Sequence, residues 1–594
     1  MEKKMRTQKE TVIRAGIALL ISFFLTGIWF LIVYQKIPFI YDINDDVAMR
    51  NVAAGVITGT PDAHLLHIKY VLGLFISGLY RLLPGLDWYG IVLTGILLFA
   101  AALILYRGLS AEQGIGWKTA YVVLFLLLLT CLGLLHVTAF QWTTVAGIAG
   151  ASGIYLFYTA GEREDLVLYL EEGLAVLMIL ISLLIRDDVF LMMLPIAALC
   201  FWWKYRWLKR ERDGTWKFRL RHFGVPAGLL AGTILILGVE AFAYRSPEWK
   251  TFRDYNTDRE AIMDYYGLPD YEEAPEIYDA LGMTPEEAEN LQRYSLYLAE
   301  DLYSDKMAKL AEYSRERYLQ QNPLKVRIRS AMSQIWEHLR KDTYHHTNVL
   351  SLGMMVLTFM YCMLRNRRQM GLVCSVLVVW GAYWFYLGFR NRILERVGFV
   401  LYLLVFLVML AIWYRTSCLS GENGRTGRIW TALAGLACLV LMPMTGKVWT
   451  EVRENNSWRS DYNQRFLDVN DYMAEHSDNV YFMTTFSIET YTDNFTIQRD
   501  FAFSNLLSVG GWHTFSPLEN EKDALLGISD AKRDIVEKEN VYVISLENIN
   551  LRYMDRYYTS LYGDGYLGRE LVDTLDFGEQ IFEVYDFTAE EEAG

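Results

Sequence analysis

Two adjacent carboxylates, Asp45 and Asp46, stand in the run Tyr41-Asp42-Ile43-Asn44-Asp45-Asp46-Val47-Ala48-Met49-Arg50, just beyond the first long apolar segment. Placing two acids side by side costs free energy through mutual repulsion unless water, a cation or a proton offsets it. Beside apolar sequence such a pair could serve as a general base or as ligands to a divalent cation. The plainer reading is a solvated turn, with Asp45 or Asp46 capping a helix that begins at Val47. A second group, Arg186-Asp187-Asp188, falls at a tight turn between two apolar stretches. Ionisable groups at membrane depth are costly and point to function, whereas at an interface an Arg simply neutralises its neighbours. The third group is Arg390, Arg392 and Arg396, in the run Phe389 to Val397. A guanidinium is always charged and its planar fork matches phosphate, so these side chains could hold a lipid phosphate; pairing with Glu395 and lipid headgroups is the alternative. His64 and His67 would share a face of a helix and could place a metal, but no third ligand stands near them, and an interfacial polar face is the simpler account. A metal site would draw on Asp46, Asp187 and Asp188, with Mg or Mn as the cation.

These residues must be positioned by helices in a membrane. The 594-residue chain is 53% hydrophobic and 14% aromatic with only 21% charged residues, too apolar for an ordinary soluble protein and too charged to be wholly in lipid. Eleven or twelve apolar segments recur between Thr11 and Thr445, each about the length needed to cross a hydrocarbon layer of ~30 Å. The first, Thr11 to Tyr34, is long and lacks a small-residue cleavage site, which predicts a retained helix. All six cysteines lie in or beside apolar segments, so no disulfide framework or zinc site is indicated. A net charge of −13 argues against nucleic acid as a partner.

Basic residues in short loops mark the cytoplasmic side of a membrane. The N-terminus, Lys204 to Arg221, Arg365 to Arg368 and Arg415 to Arg428 carry them densely. Placing all four inside predicts helices near 11–34, 86–106, 119–136, 141–159, 165–185, 189–203, 223–243, 348–364, 371–388, 399–414 and 429–446, with His67 to Leu83 re-entrant or interfacial. The regions 35–66, 186–188, 245–346 and 389–398 then face outward together, joined by the C-terminal part of the chain. Within 245–346, Thr284-Pro285-Glu286-Glu287 reads as a helix start, with Thr as cap and Pro at the first helical position. After a polar helix at 461–476, apolar runs at 480–485, 541–545 and 581–587 predict strands, with helical stretches around 521–538, hence a small α/β domain. The expected organisation is a mainly α, polytopic bundle over 1–446 and an extracytoplasmic α/β domain over 447–594.

This layout resembles the GT-C fold glycosyltransferases, membrane enzymes that take a sugar from a polyprenyl-phosphate or polyprenyl-pyrophosphate donor. The likeness rests on the first-loop Asp45-Asp46, on the following helix from His67-Ile68-Lys69-Tyr70 to Leu79-Tyr80-Arg81-Leu82-Leu83-Pro84, on the turn Arg186-Asp187-Asp188, and on a late basic turn with Arg392 and Arg396. It covers most of residues 1–446 in organisation and few in identity. The resemblance implies that Asp45 or Asp46 activates the acceptor, that Arg392 or Arg396 holds the donor phosphate, and that Asp187 or Asp188 supports the site or binds a cation. The C-terminal region carries no WWD-type motif of the oligosaccharyltransferase branch, so a glycan or lipid acceptor in a bacterial envelope is expected rather than a peptide. A polysaccharide polymerase or ligase, and a non-catalytic transporter or scaffold, are the alternatives; charges clustered at helix ends rather than at mid-membrane favour an enzyme.

Overall fold

The structure, a computed structural model, describes residues 2–161, 166–211, 223–299, 302–341, 345–364, 367–418, 425–489, 492–578 and 580–589. Parts of the basic loops expected on the cytoplasmic face, at 212–222, 365–366 and 419–424, lie outside them. Among the described residues, nine helices are long and apolar enough to cross a membrane: Lys9–Lys36, Trp88–Ser110, Ile115–Thr138, Leu166–Ile185, Asp187–Arg206, Gly224–Ala243, His346–Leu364, Arg367–Phe389 and Glu395–Thr416. Two further helices complete the bundle. One is Trp142–Thr159, buried along nearly its whole length. Its small residues admit close neighbours, as in other membrane bundles: a Cβ on Gly153 would meet the carbonyl oxygen of Ala175 at 2.8 Å, and one on Gly147 would meet Val400 at 2.3 Å. The other, Arg425–Glu475, runs unbroken for 51 residues, about 75 Å at 1.5 Å per residue. The sequence suggested two helices here; a single one passes through position 446 and carries the chain from the bundle into the C-terminal region.

The segment expected to be re-entrant forms the helix Tyr70–Leu82, whose 13 residues reach only about 20 Å, too short to cross. The long connection after Ala243 is folded. Ser246 caps Pro247–Glu260 by accepting from the Trp249 amide at 3.3 Å. Thr284 and Glu287 form a reciprocal capping box, Oγ1 accepting at 3.2 Å and Oε2 at 2.9 Å, as the Thr-Pro start predicted.

Beyond Glu475 the chain forms a five-stranded sheet. Its strands lie in the spatial order Leu506–Ser508, Val480–Met483, Val541–Leu546, Ile581–Ala589, Tyr566–Asp576, the first two pairings parallel and the last two antiparallel. The long connection plugs into this region: Leu298 is part of its apolar core, and the Tyr297 amide donates to the Val509 carbonyl at 3.1 Å. A second tie returns to the bundle, where the Phe495 amide donates to Phe39 O and the Tyr41 amide to Asp493 O, each at 2.9 Å.

Candidate active site

The first loop is pinned before it reaches its carboxylates. Strands β1 (Ile40–Tyr41) and β2 (Ala139–Phe140) pair in parallel, tying the loop to the end of Ile115–Thr138. A helix then starts at Asn44, not at Val47, and Ile43 at its N-cap makes no side-chain cap. Asp45 and Asp46 are therefore first-turn residues, where the positive end of the helix dipole favours anions. At a helical pitch of 100° per residue, adjacent side chains point to different surroundings. Asp45 lines a cavity of about 780 Å³. Asp46 is fully buried beside it: Oδ1 accepts from the Tyr89 hydroxyl at 2.8 Å and from the Trp142 amide at 3.2 Å, and Oδ2 has no hydrogen-bond partner among the described residues. Burial, only partly offset by the Tyr89 hydrogen bond, holds the Asp46 carboxyl well above the usual carboxylate range.

One turn on, Arg50 is 2% exposed and anchors the helix from below. Its guanidinium meets Asp493 at 2.8 Å and Asp87 at 3.9 Å, and lies over the rings of Tyr41 at 5.2 Å and Phe501 at 5.4 Å. Asp87 in turn accepts from Tyr41 at 2.7 Å and Tyr80 at 3.0 Å. A buried arginine persists only when so compensated, and this network fixes the first loop, the start of Trp88–Ser110 and the C-terminal region to one another.

Seven of the ten residues singled out in the sequence converge on the cavity: Asp45, His67, Arg186, Asp187, Asp188, Arg392 and Arg396. Asp46, His64 and Arg390 do not line it. His64 donates from Nδ1 to Asp62 Oδ1 at 2.8 Å and packs among Tyr70, Tyr244 and Trp249, and the chain from Pro61 to Lys69 is not helical, so the two histidines share no helix face. Arg390 stacks over Tyr265 at 4.5 Å. The acids that sequence offered to a cation part company, Asp46 into the core and Asp187 onto a lysine. No group of three or more His, Cys, Asp or Glu side chains able to hold a metal occurs among the described residues.

That lysine is Lys69, whose Nζ meets Asp187 Oδ2 at 2.7 Å and Glu240 Oε1 at 4.0 Å. Both Lys69 and Glu240 line the cavity and escaped the sequence reading. The signal for them was present, since each is an ionisable residue set in apolar sequence, which is expensive unless paired. Also unforeseen is the roof. The C-terminal region contributes Trp512, His513, Glu519 and Lys522, and the long connection contributes Arg253, Arg259, Glu260 and Asp264.

The charges within the cavity are unevenly satisfied. Asp187 neutralises Lys69, and Asp264 approaches Arg392 at 3.2 Å. Arg186 lies over Trp142 at 4.2 Å, with Asp188 no nearer than 3.8 Å. The buried Nε of Arg396 has no hydrogen-bond partner among the described residues. Burial first, then the like charge of Arg396, holds the Arg186 guanidinium below its ordinary value. Arginines close enough to oppose one another form a site that an anion relieves. His67 sits between Trp142, at 5.3 Å, and Trp512, at 4.5 Å. Burial lowers its pKa to about 4, so the ring is neutral at neutral pH.

No protein-family model matches the chain, and no curated protein matches it. Among solved structures it is similar to ArnT from Cupriavidus metallidurans in the apo state, with a TM-score of 0.40 and 11% identity over 96% of this chain and 98% of that one. It is likewise similar to ArnT from the same organism bound to undecaprenyl phosphate, with a TM-score of 0.39 and 11% identity over 95% and 97% of the two chains.

Proposed function

We propose that the protein is a GT-C-type membrane glycosyltransferase that moves a sugar from a polyprenyl-phosphate-type donor to a glycan or lipid acceptor of the cell envelope. The observation that carries this reading is the juxtaposition, in one cavity at the end of a membrane bundle, of a carboxylate without an ion-pair partner nearer than 4 Å among the described residues, Asp45, and the arginines Arg186, Arg392 and Arg396. In the proposed reaction the Asp45 carboxylate takes the proton of the acceptor hydroxyl as its oxygen attacks the anomeric carbon. The bond between that carbon and the lipid phosphate oxygen breaks, and its electron pair leaves with the phosphate. Arginines already in place at that oxygen stabilise the growing negative charge without reorganising. Asp46, fully buried, accepts from the Tyr89 hydroxyl and the Trp142 amide and so keeps the first turn in position. In this reading the cavity faces outward, the N-terminus is cytoplasmic, and the region from 447 onward is an extracytoplasmic cap that closes the site from above.

The test is release of polyprenyl phosphate from a radiolabelled lipid-linked sugar pool by the purified chain in liposomes, with crude envelope acceptor supplied. Turnover is expected to need both donor and acceptor. Binding of the lipid with no sugar transfer over a range of donors and acceptors would replace the enzyme with a carrier or scaffold.

A further inference from the structure

The helix Leu324–Lys341 (LKVRIRSAMSQIWEHLRK) lies outside the bundle's spans and plays no part in the chemistry above. One side of it is seated on the cavity end of the span Arg367–Phe389. Arg327 stacks over Phe389 at 3.9 Å, His338 packs on Trp384 at 4.8 Å, and a Cβ on Gly388 would meet the Ala331 carbonyl oxygen at 2.9 Å. Gln334 donates to Asn391, inside the turn that bears Arg392 and Arg396. The helix is thus held at the level where a spanning helix leaves the hydrocarbon.

Its next face is apolar and uncovered. Leu324, Ile328, Met332, Trp336 and Leu339 are 63%, 41%, 57%, 64% and 36% exposed. At 100° per residue these five fall within an arc of about 120°, directly beside the seated face. Lys325 falls just inside the far edge of that arc, Arg329 and Arg340 follow beyond it, all three exposed, and Ser330, Ser333 and Glu337, with Val326 among them, lie farther round. Apolar face, basic rim and polar back, in that order around a helix already fixed at the edge of a membrane bundle, match an interfacial helix whose long basic side chains extend to lipid phosphates.

We propose that Leu324–Lys341 is embedded in the headgroup layer on the cavity side of the membrane, with Trp336 and its apolar neighbours among the upper acyl chains and Lys325, Arg329 and Arg340 on anionic headgroups. Through Gln334 and Asn391 this lipid contact bears on the arginine turn of the cavity. The proposal holds whether or not the cavity transfers sugar.

The full chain in nanodiscs tests it, with the fluorescence of Trp336 isolated as the difference between wild type and Trp336→Phe. The expected result is that this component is quenched at least twofold by lipids brominated near the headgroup end of the acyl chain and resists aqueous acrylamide. A component quenched by acrylamide and indifferent to brominated lipid would overturn the embedding and leave the face to water or to a protein partner. Each basic residue near an anionic surface contributes about fivefold to binding. Accordingly, the triple variant Lys325→Gln, Arg329→Gln, Arg340→Gln should lower enrichment of phosphatidylglycerol over phosphatidylcholine around the protein at least fivefold. Unchanged enrichment would overturn the headgroup assignment.

Discussion

Asp45 and Asp46 are neighbours in the chain and opposites in setting: Asp45 lines the charged cavity, while Asp46 is fully buried under Tyr89 and the Trp142 amide. Because burial raises the Asp46 pKa, its folded form keeps a proton that the unfolded chain has already released above pH ~4. Stability contributed by that proton is full at low pH and is lost as pH rises toward the folded pKa. Asp46→Asn, neutral at every pH, should gain stability relative to wild type between pH 5 and 8. Thermal unfolding in detergent across that range reads the difference.

The buried histidines of the cavity work in the other direction. Burial lowers His67 to about 4 and His513 to about 3, so the unfolded chain takes up protons from pH 6.5 downward while the folded one does not. Stability is full above pH 6.5 and falls as pH drops toward 4, by about 3 kcal/mol for His67 alone. His67→Gln should flatten this acid limb, and a pH series of unfolding midpoints checks it.

The three arginines near the turn should rank by their surroundings. Arg396 lines the cavity with an unpartnered Nε, Arg392 lines it but faces Asp264 at 3.2 Å, and Arg390 stacks on Tyr265 outside it. Removing a preorganised donor to a developing anion costs about 10²–10³ in turnover. Arg396→Gln should show that loss, Arg392→Gln less, and Arg390→Gln little, in the lipid-phosphate release assay.

Arg50 carries structure rather than chemistry. Truncating it leaves Asp87 and Asp493 buried beside no guanidinium from this helix, and losing one partner of a buried pair costs about 3–5 kcal/mol. Arg50→Met should unfold at lower denaturant in mixed micelles by that amount, with loss of both the first loop and its tie to the C-terminal region.

Much of this architecture was legible in the chain because membrane spans are written locally, in length and hydropathy. Strands at 480–483, 541–546 and 581–589 were readable for the same reason, as short β-branched and aromatic runs. Strand Tyr566–Asp576 was not, being largely exposed, polar and interrupted by a bulge at Gly568, and Leu506–Ser508 is only three residues long. The helix Arg425–Glu475 hid its continuity because its composition changes from apolar to polar midway. At the site, acids and arginines announced themselves by type. What could not be read was pairing over distance: Lys69 with Asp187, His67 with Trp512, and the separation of Asp45 from Asp46 all depend on contacts the local pattern does not encode.

In the proposed reaction Asp45 is the base of the sugar transfer. The most direct test is turnover of a lipid-linked sugar donor by Asp45→Asn and by Asp46→Asn, measured separately in matched liposomes. Loss of a general base costs about 10²–10⁴ in rate, so Asp45→Asn should fall by that factor while Asp46→Asn stays within about tenfold of wild type. Full turnover by Asp45→Asn, with Asp46→Asn inactive yet folded, would contradict the assignment.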